Sequence, residues 1–213
     1  MIVLSKRLNI IFDRIEKCGV FADVGCDHGY IAYKMLEEGK CDRAIITDIS
    51  AKCLKKADNL LKTRFAGKYE AIVADGLKGA PYADEVLIAG MGGEVIRDIL
   101  YGVDHLPERL VLQPMKNPEK VRRAVVEKGY FVERDYTFKA GKFYDLIVAV
   151  KGRDEYSEEE YSFGRDNIRE KGDAFIEQIS NKIEKLKRAR KTAAEENRED
   201  IEKRLCVLEE ILK

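Results

Sequence analysis

From residue 20 to about residue 150 the chain alternates between short, unbroken apolar runs and longer stretches whose apolar residues recur every three to four positions. Unbroken runs of four to six residues suit strands buried on both faces. The 3.6-residue recurrence suits helices with one buried side. The runs at 20–24, 44–47, 70–74, 85–89 and 109–113 predict five strands, and the stretches 30–38, 51–64, 93–101 and 118–128 predict helices between them. Pro118 stands near the start of the last helix, where its missing N–H removes no intrahelical bond. This alternation predicts a parallel sheet with helices on both faces. Two further β-rich runs, 131–138 and 143–150, are joined by 139–142 (KAGK), the spacing of an antiparallel hairpin with Gly141 in its turn. The fold class is therefore α/β: a mostly parallel, seven-stranded, Rossmann-like sheet that ends in an antiparallel hairpin.

After residue 151 the pattern changes and charged residues dominate. Ile168, Phe175, Ile179, Ile183 and Leu186 form one apolar stripe, and Ile201, Leu205, Leu208 and Leu212 form a second. Spacings of three, four and seven are those of coiled coils. A turn around 192–197 would fold the two helices into an antiparallel hairpin in which each stripe covers the other, since either helix alone is marginal in water. The expected division is 1–152 for the α/β domain and 153–213 for a C-terminal coiled-coil hairpin.

Composition narrows the function classes. The 213 residues carry 39 Lys and Arg against 39 Asp and Glu, so the net charge is zero. A wholly basic nucleic-acid-binding surface is excluded, though a local patch is not. No apolar run is long enough to span a bilayer, and Met1 to Leu4 lead into charged, helix-like sequence, so a cytoplasmic protein with no membrane partner is expected. The five cysteines contain no Cys-x-x-Cys pair and there are two histidines, so no metal site is expected.

The candidate chemistry lies at strand ends. In 21–30 (FADVGCDHGY), Asp23, Gly25, Asp27 and Gly29 form an acidic-x-Gly-x-x-x-Gly pattern between a strand and a helix. Gly25 permits a tight turn and close backbone approach to a ligand, with Cys26 and His28 in the same loop. Asp23 can hold the ammonium of a methionine moiety. Asp48, followed by Ile49, lies past the second strand, where a carboxylate accepts ribose hydroxyls. Asp75 and Gly76 lie past the third strand, where class I methyltransferases read adenine. Ala89, Gly90, Met91 and Gly92 lie past the fourth. Asp48 and Asp75 also suit helix caps or turns. Together these positions indicate a pocket for S-adenosyl-L-methionine. A nicotinamide site would want glycine where Asp27 stands.

The segments 4–8 (LSKRL), 22–30 (ADVGCDHGY), 88–93 (IAGMGG), 112–114 (LQP) and 143–149 (FYDLIVA) resemble the bacterial tRNA (adenine-22-N1)-methyltransferase family over residues 4–151. The tail resembles that family's coiled coil in character more than in sequence. The resemblance implies an S-adenosyl-L-methionine-dependent class I methyltransferase that modifies N1 of an adenosine in the D-arm of tRNA, and it brings Gln113 and Pro114 into the substrate site.

Adenine N1 has an in-plane lone pair at neutral pH, so such an enzyme needs no strong base. Alignment of the reactants does most of the work. The product base is cationic, and a nearby carboxylate would favour its formation. Asp27 is the candidate, with a turn-stabilising or cofactor role as the alternative. An extruded base could stack on Tyr30, a residue that would equally serve in packing. The stretch after the fourth strand lacks the Asn/Asp-Pro-Pro-aromatic motif of exocyclic-amine methyltransferases. For RNA, 182–191 (KIEKLKRARK) is the one dense basic cluster, with Lys182, Lys185, Arg188 and Lys191 as phosphate contacts or as a solvated helix face. Lys6 and Arg7 near the pocket mouth are further candidates, as are Arg122 and Arg123. A monomer is favoured over a dimer. The rival readings are a small-molecule or protein methyltransferase, an NAD-dependent oxidoreductase and a non-catalytic binding module.

Overall fold

The computed structural model describes residues 2–213. Seven strands form one sheet: β1 (Cys18–Val24), β2 (Cys41–Asp48), β3 (Tyr69–Val73), β4 (Glu85–Met91), β5 (Arg109–Pro114), β6 (Tyr130–Ala140) and β7 (Lys142–Lys151). Their order is β3-β2-β1-β4-β5-β7-β6. The first five strands pair in parallel, and β7 runs antiparallel to both β5 and β6. The predicted five parallel strands and terminal hairpin are all present. Gly141 makes the hairpin turn at φ 77°, a conformation glycine adopts without strain.

Five helices cover the sheet: α1 (Lys6–Phe12), α2 (Tyr30–Glu37), α3 (Ala51–Phe65), α4 (Gly93–Tyr101) and α5 (Pro118–Glu127). Strand side chains alternate between two apolar layers. Phe21, Leu87 and Val111 join Ile11, Met35 and Leu61 on the α1–α3 face. Ala22, Ile88 and Leu112 join Ile96, Leu100 and Val121 on the α4–α5 face. Because helices cover both sides, β1, β4 and β5 read as continuous apolar runs rather than as alternating ones.

The outer edge of β6 is closed by helices. Two short ones follow the hairpin, α6 (Glu158–Phe163) and α7 (Arg165–Glu170). The Asp166 carboxylate accepts from the Asp135 backbone N–H at 3.0 Å, and the Asn167 amide oxygen accepts from that of Thr137 at 2.7 Å. Side chains thus satisfy the free donors of an edge strand that would otherwise invite another chain. Beneath them Arg122 on α5, fully buried, binds Asp135 at 2.9 Å and Asp145 at 2.8 Å. This corrects its reading as an RNA contact: its guanidinium is committed inside the protein. Arg123 is tied to Glu158.

The tail forms the expected helical hairpin, α8 (Asp173–Thr192) and α9 (Glu195–Leu212), joined by two residues. Phe175, Ile179, Ile183, Leu205 and Ile211 form its buried seam. Ile168 packs against this seam from α7, a separate helix, because Lys171 at φ 45° and Gly172 break the chain before Phe175. Leu186, Ile201, Leu208 and Leu212 pack against the seam, half-buried, as the stripes predict, and Ile211 joins it as well. Among the described residues no helix is long and apolar enough to cross a membrane.

Arg122→Leu leaves the Asp135 carboxylate buried without its cation. The expected loss is about 3–5 kcal/mol of stability, read by denaturant unfolding. A loss under about 1 kcal/mol would show that the pair is dispensable.

Candidate active site at the carboxyl ends of the parallel strands

The parallel strands end together, and the loops leaving β1 and β4, with α1, line a cavity of about 340 Å³. The β1 loop is fixed by its backbone. The N–H groups of Gly25 and Cys26 both donate to the Thr47 carbonyl of β2, at 2.8 and 3.1 Å. Gly25 (φ 68°), Asp27 (φ 44°) and Gly29 (φ 68°) are all left-handed. At Gly29 a Cβ would come within 2.8 Å of the Ala57 Cβ on α3, so only glycine lets α2 and α3 close. Aspartate tolerates the left-handed region better than most side chains, which suits position 27.

Asp23 stands at the floor of the cavity and is 6 % exposed. Burial pushes its carboxyl up to about 7, against the pull of the Ala32 backbone N–H, and the neighbouring Asp48 adds to the rise. No cation among the described residues pairs with it. A buried carboxylate so placed calls for a positively charged ligand.

The next strand ends continue the site. Asp48 accepts from the Ser50 backbone N–H at 2.8 Å, which keeps one oxygen engaged, and Ile49 beside it is exposed. Asp75 pairs with Lys78 at 2.6 Å. Gly76 packs so closely on Ile99 that a Cβ would sit 2.7 Å away, and its carbonyl accepts from the Thr47 hydroxyl at 2.9 Å. After β4, Ala89 and Gly90 line the cavity. The Met91 methyl occupies the space a Cβ at Gly25 would need, and Gly92 caps α4. Gln113, wholly buried at the end of β5, donates to the Pro114 carbonyl at 2.8 Å and accepts from Arg7 Nη1 at 2.6 Å.

At the mouth, the Asp27 carboxylate lies 2.8 Å from His28 Nδ1 and 3.3 Å from Lys56 Nζ. Slight burial raises its carboxyl, but the hydrogen bonds and charges of His28 and Lys56 prevail and hold it below the usual carboxylate range. The His28 and Tyr30 rings stack at 5.3 Å. Sequence reasoning missed Lys56 and Thr47. Lys56 is one of many lysines on an amphipathic helix, and Thr47 acts through its carbonyl and its hydroxyl on backbone groups of the neighbouring loops, partners that no side-chain pattern marks.

The basic candidates are not gathered into this cavity. Lys6 is exposed on α1. Lys182 and Lys185 flank Phe143 beside the β6–β7 turn, which lies at the same end of the sheet as the cavity. On α8, Lys187 and Arg190 are paired with Glu209 and Glu202. Among the described residues no ion pair engages Lys182, Lys185, Arg188 or Lys191. Nor is there among them a cluster of His, Cys, Asp and Glu that could hold a metal ion.

A sheet of this order, with acidic residues at the carboxyl ends of its first three strands in sequence and a glycine-opened loop after β1, is that of a class I S-adenosyl-L-methionine-dependent methyltransferase. The family described as "Methyltransferase domain" matches residues 4–147. The tRNA (adenine(22)-N(1))-methyltransferase of Bacillus subtilis is 33% identical over 158 residues, covering 70% of this chain and 66% of that protein. The crystal structure of the B. subtilis m1A22 tRNA methyltransferase superposes with a TM-score of 0.88 at 25% identity, covering 100% of both chains. That of Streptococcus pneumoniae Sp1610 in complex with S-adenosyl-L-methionine gives 0.89 at 26% identity, covering 99% of this chain and 100% of that one. The chain belongs to the tRNA (adenine-22-N1)-methyltransferase family.

The raised carboxyl of Asp23 has a consequence for stability. Between about pH 4 and 7 the folded state keeps a proton there that the unfolded chain has lost, so Asp23 lowers stability progressively as pH rises through that window. Asp23→Asn should therefore raise the Tm of the ligand-free protein at pH 8 and leave it unchanged below about pH 4. An equal Tm difference at both pH values would contradict this account.

Proposed function

We propose that this protein transfers a methyl group from S-adenosyl-L-methionine to N1 of adenosine 22 in the D-arm of tRNA, as a cytoplasmic monomer. The observation that carries the reading is the full-length superposition on the B. subtilis m1A22 enzyme, with a TM-score of 0.88. The cavity, which holds Asp23, and the strand ends beside it, which carry Asp48, Asp75 and Gly76, together suit the cofactor. Asp23 offers a buried carboxylate for an ammonium, Asp48 a carboxylate for ribose hydroxyls, and Asp75 with Gly76 an edge for adenine. S-adenosyl-L-methionine supplies an electrophilic methyl on a sulfonium centre.

The chain's own residues have little proton chemistry to do, because N1 of a neutral adenine already presents its lone pair. Asp27 at the cavity mouth places negative charge where the methylated base becomes cationic. His28 and Tyr30, stacked on each other, offer a platform for an extruded base. The α8 cations without ion-pair partners, Lys182, Lys185, Arg188 and Lys191, would carry tRNA phosphates past the hairpin tip toward the cavity. A monomer is supported because the apolar stripes of α8 and α9 bury each other within one chain.

The test is transfer of labelled methyl to an unmodified tRNA with adenosine at position 22, beside the same tRNA with guanosine there. Label in the first alone, recovered as N1-methyladenosine, is the expected result. Label in neither, with cofactor bound, overturns the tRNA reading in favour of a small-molecule or protein substrate.

Asp27→Asn is expected to lower kcat by roughly tenfold or more with little change in cofactor affinity. If calorimetry instead shows the loss in cofactor binding, Asp27 belongs to the cofactor site. The double substitution Lys185→Glu and Arg188→Glu should raise KM for tRNA roughly tenfold and flatten its salt dependence, with kcat unchanged.

A further inference from the structure

The helix that follows β2 carries a one-sided charge that the fold does not use. α3 holds five basic residues, Lys52, Lys55, Lys56, Lys62 and Arg64, against one acid, Asp58, in a chain with no net charge. In the sequence these cations are interleaved with core residues, and only the helix gathers them. Leu54, Ala57, Leu61 and Phe65 are buried. Lys52, Lys55, Lys56, Asn59 and Lys62, three or four apart, are exposed along the opposite face. The stripe is about 15 Å long at 1.5 Å per residue.

The nearby acids are engaged elsewhere. Asp58 accepts from the Tyr69 hydroxyl, and Glu37 on α2 is taken by Lys34 and Arg64. Among the described residues no ion pair engages Lys52, Lys55 or Lys62. Lys56 is paired with Asp27 at the cavity mouth, 3.3 Å away, with both side chains about half exposed, so the stripe borders the mouth. These charges also work against their own helix. Ser50 caps α3, whose first turn holds no acid, and Lys52 places positive charge at the positive end of the helix macrodipole. Lys52 and Lys56, four apart, repel each other. Cations that oppose the helix they stand on, with no partner in the protein, call for an anion outside it.

We infer that the exposed face of α3, through Lys52, Lys55 and Lys56, binds the phosphate backbone of the RNA whose base enters the cavity. The inference rests on the tRNA reading above and adds a second surface to that on α8. α3 packs on β2 and β3 at one edge of the sheet, and α8 on β6 at the other, so the cavity at the ends of β1 and β4 lies between two cationic surfaces. A nucleic-acid arm laid across that end of the sheet meets a row of cations on each side.

The test is binding of an unmodified tRNA with adenosine at position 22, followed by fluorescence anisotropy at several salt concentrations. Methyl transfer to the same tRNA by the unaltered protein checks the tRNA reading separately. Lys52→Gln with Lys55→Gln should raise Kd for tRNA roughly tenfold near 0.1 M salt and lower the slope of log Kd against log salt by about 1.5, as the loss of two phosphate contacts requires. Affinity for S-adenosylhomocysteine and Tm should not fall. Lys52→Arg with Lys55→Arg keeps the charge and should hold Kd within about twofold. Lys128→Gln with Lys151→Gln removes the same charge at the opposite end of the sheet and should also stay within about twofold. An unchanged Kd and slope in the α3 glutamine pair, with methyl transfer intact in the unaltered protein, overturns the inference and leaves the tRNA reading standing. An equal loss from the Lys128 and Lys151 pair overturns it too, since net charge alone then accounts for the effect. If the stripe instead docks the acid-rich α9 of a second copy, the unaltered protein sediments as a dimer and the α3 glutamine pair as a monomer with tRNA affinity unmoved, which also overturns it. An unaltered protein that neither binds nor methylates tRNA removes the reading and the inference together.

Discussion

Two backbone N–H groups, those of Gly25 and Cys26, share one carbonyl, that of Thr47, and the arrangement of the cofactor site depends on that junction. It sews the loop after β1 to the end of β2. The three left-handed residues of this loop turn the chain sharply enough for α2 to start directly behind it. The Thr47 hydroxyl reaches the Gly76 carbonyl beyond β3, so one residue ties three consecutive strand ends together. Asp23, Asp48 and Asp75 are held in a row because their backbones are. Strand ends on a packed sheet are stiff, and stiffness is what a site that works by alignment requires.

Asp23 shows the cost of that arrangement. Its carboxylate is buried next to another acid and without a cation, so the fold carries a group that opposes its own stability. The network around Arg122 is of the opposite kind. There Asp135 and Asp145 share a buried guanidinium, and Asp166 and Asn167 complete the edge of β6. One carboxylate is left open for a ligand and the others are closed by the protein, and this contrast separates the site from the scaffold.

The C-terminal hairpin is joined to the sheet through this scaffold. Lys139 at the end of β6 pairs with Glu177 on α8, and Lys182 and Lys185 border Phe143 beside the hairpin tip. The antiparallel course of β6 and β7 brings that tip to the same end of the sheet as the cofactor cavity. A surface on α8 and a pocket beneath the β1 loop, distant in sequence, thus border the same end of the molecule.

The sequence by itself determined the parallel strands, the terminal hairpin, the helical tail and the acidic strand ends. These follow from local periodicity and from glycines in a turn, which neighbours within a few residues decide. Arg122 and Arg7 mark the limit. Both read as candidate RNA contacts, Arg7 near the pocket mouth, yet Arg122 is sealed between two aspartates and Arg7 lines the cavity of Asp23, bound to Gln113. Their fates depend on partners 13 to 106 residues away. A charge states what a side chain can bind, and only the folded chain decides which partner it meets.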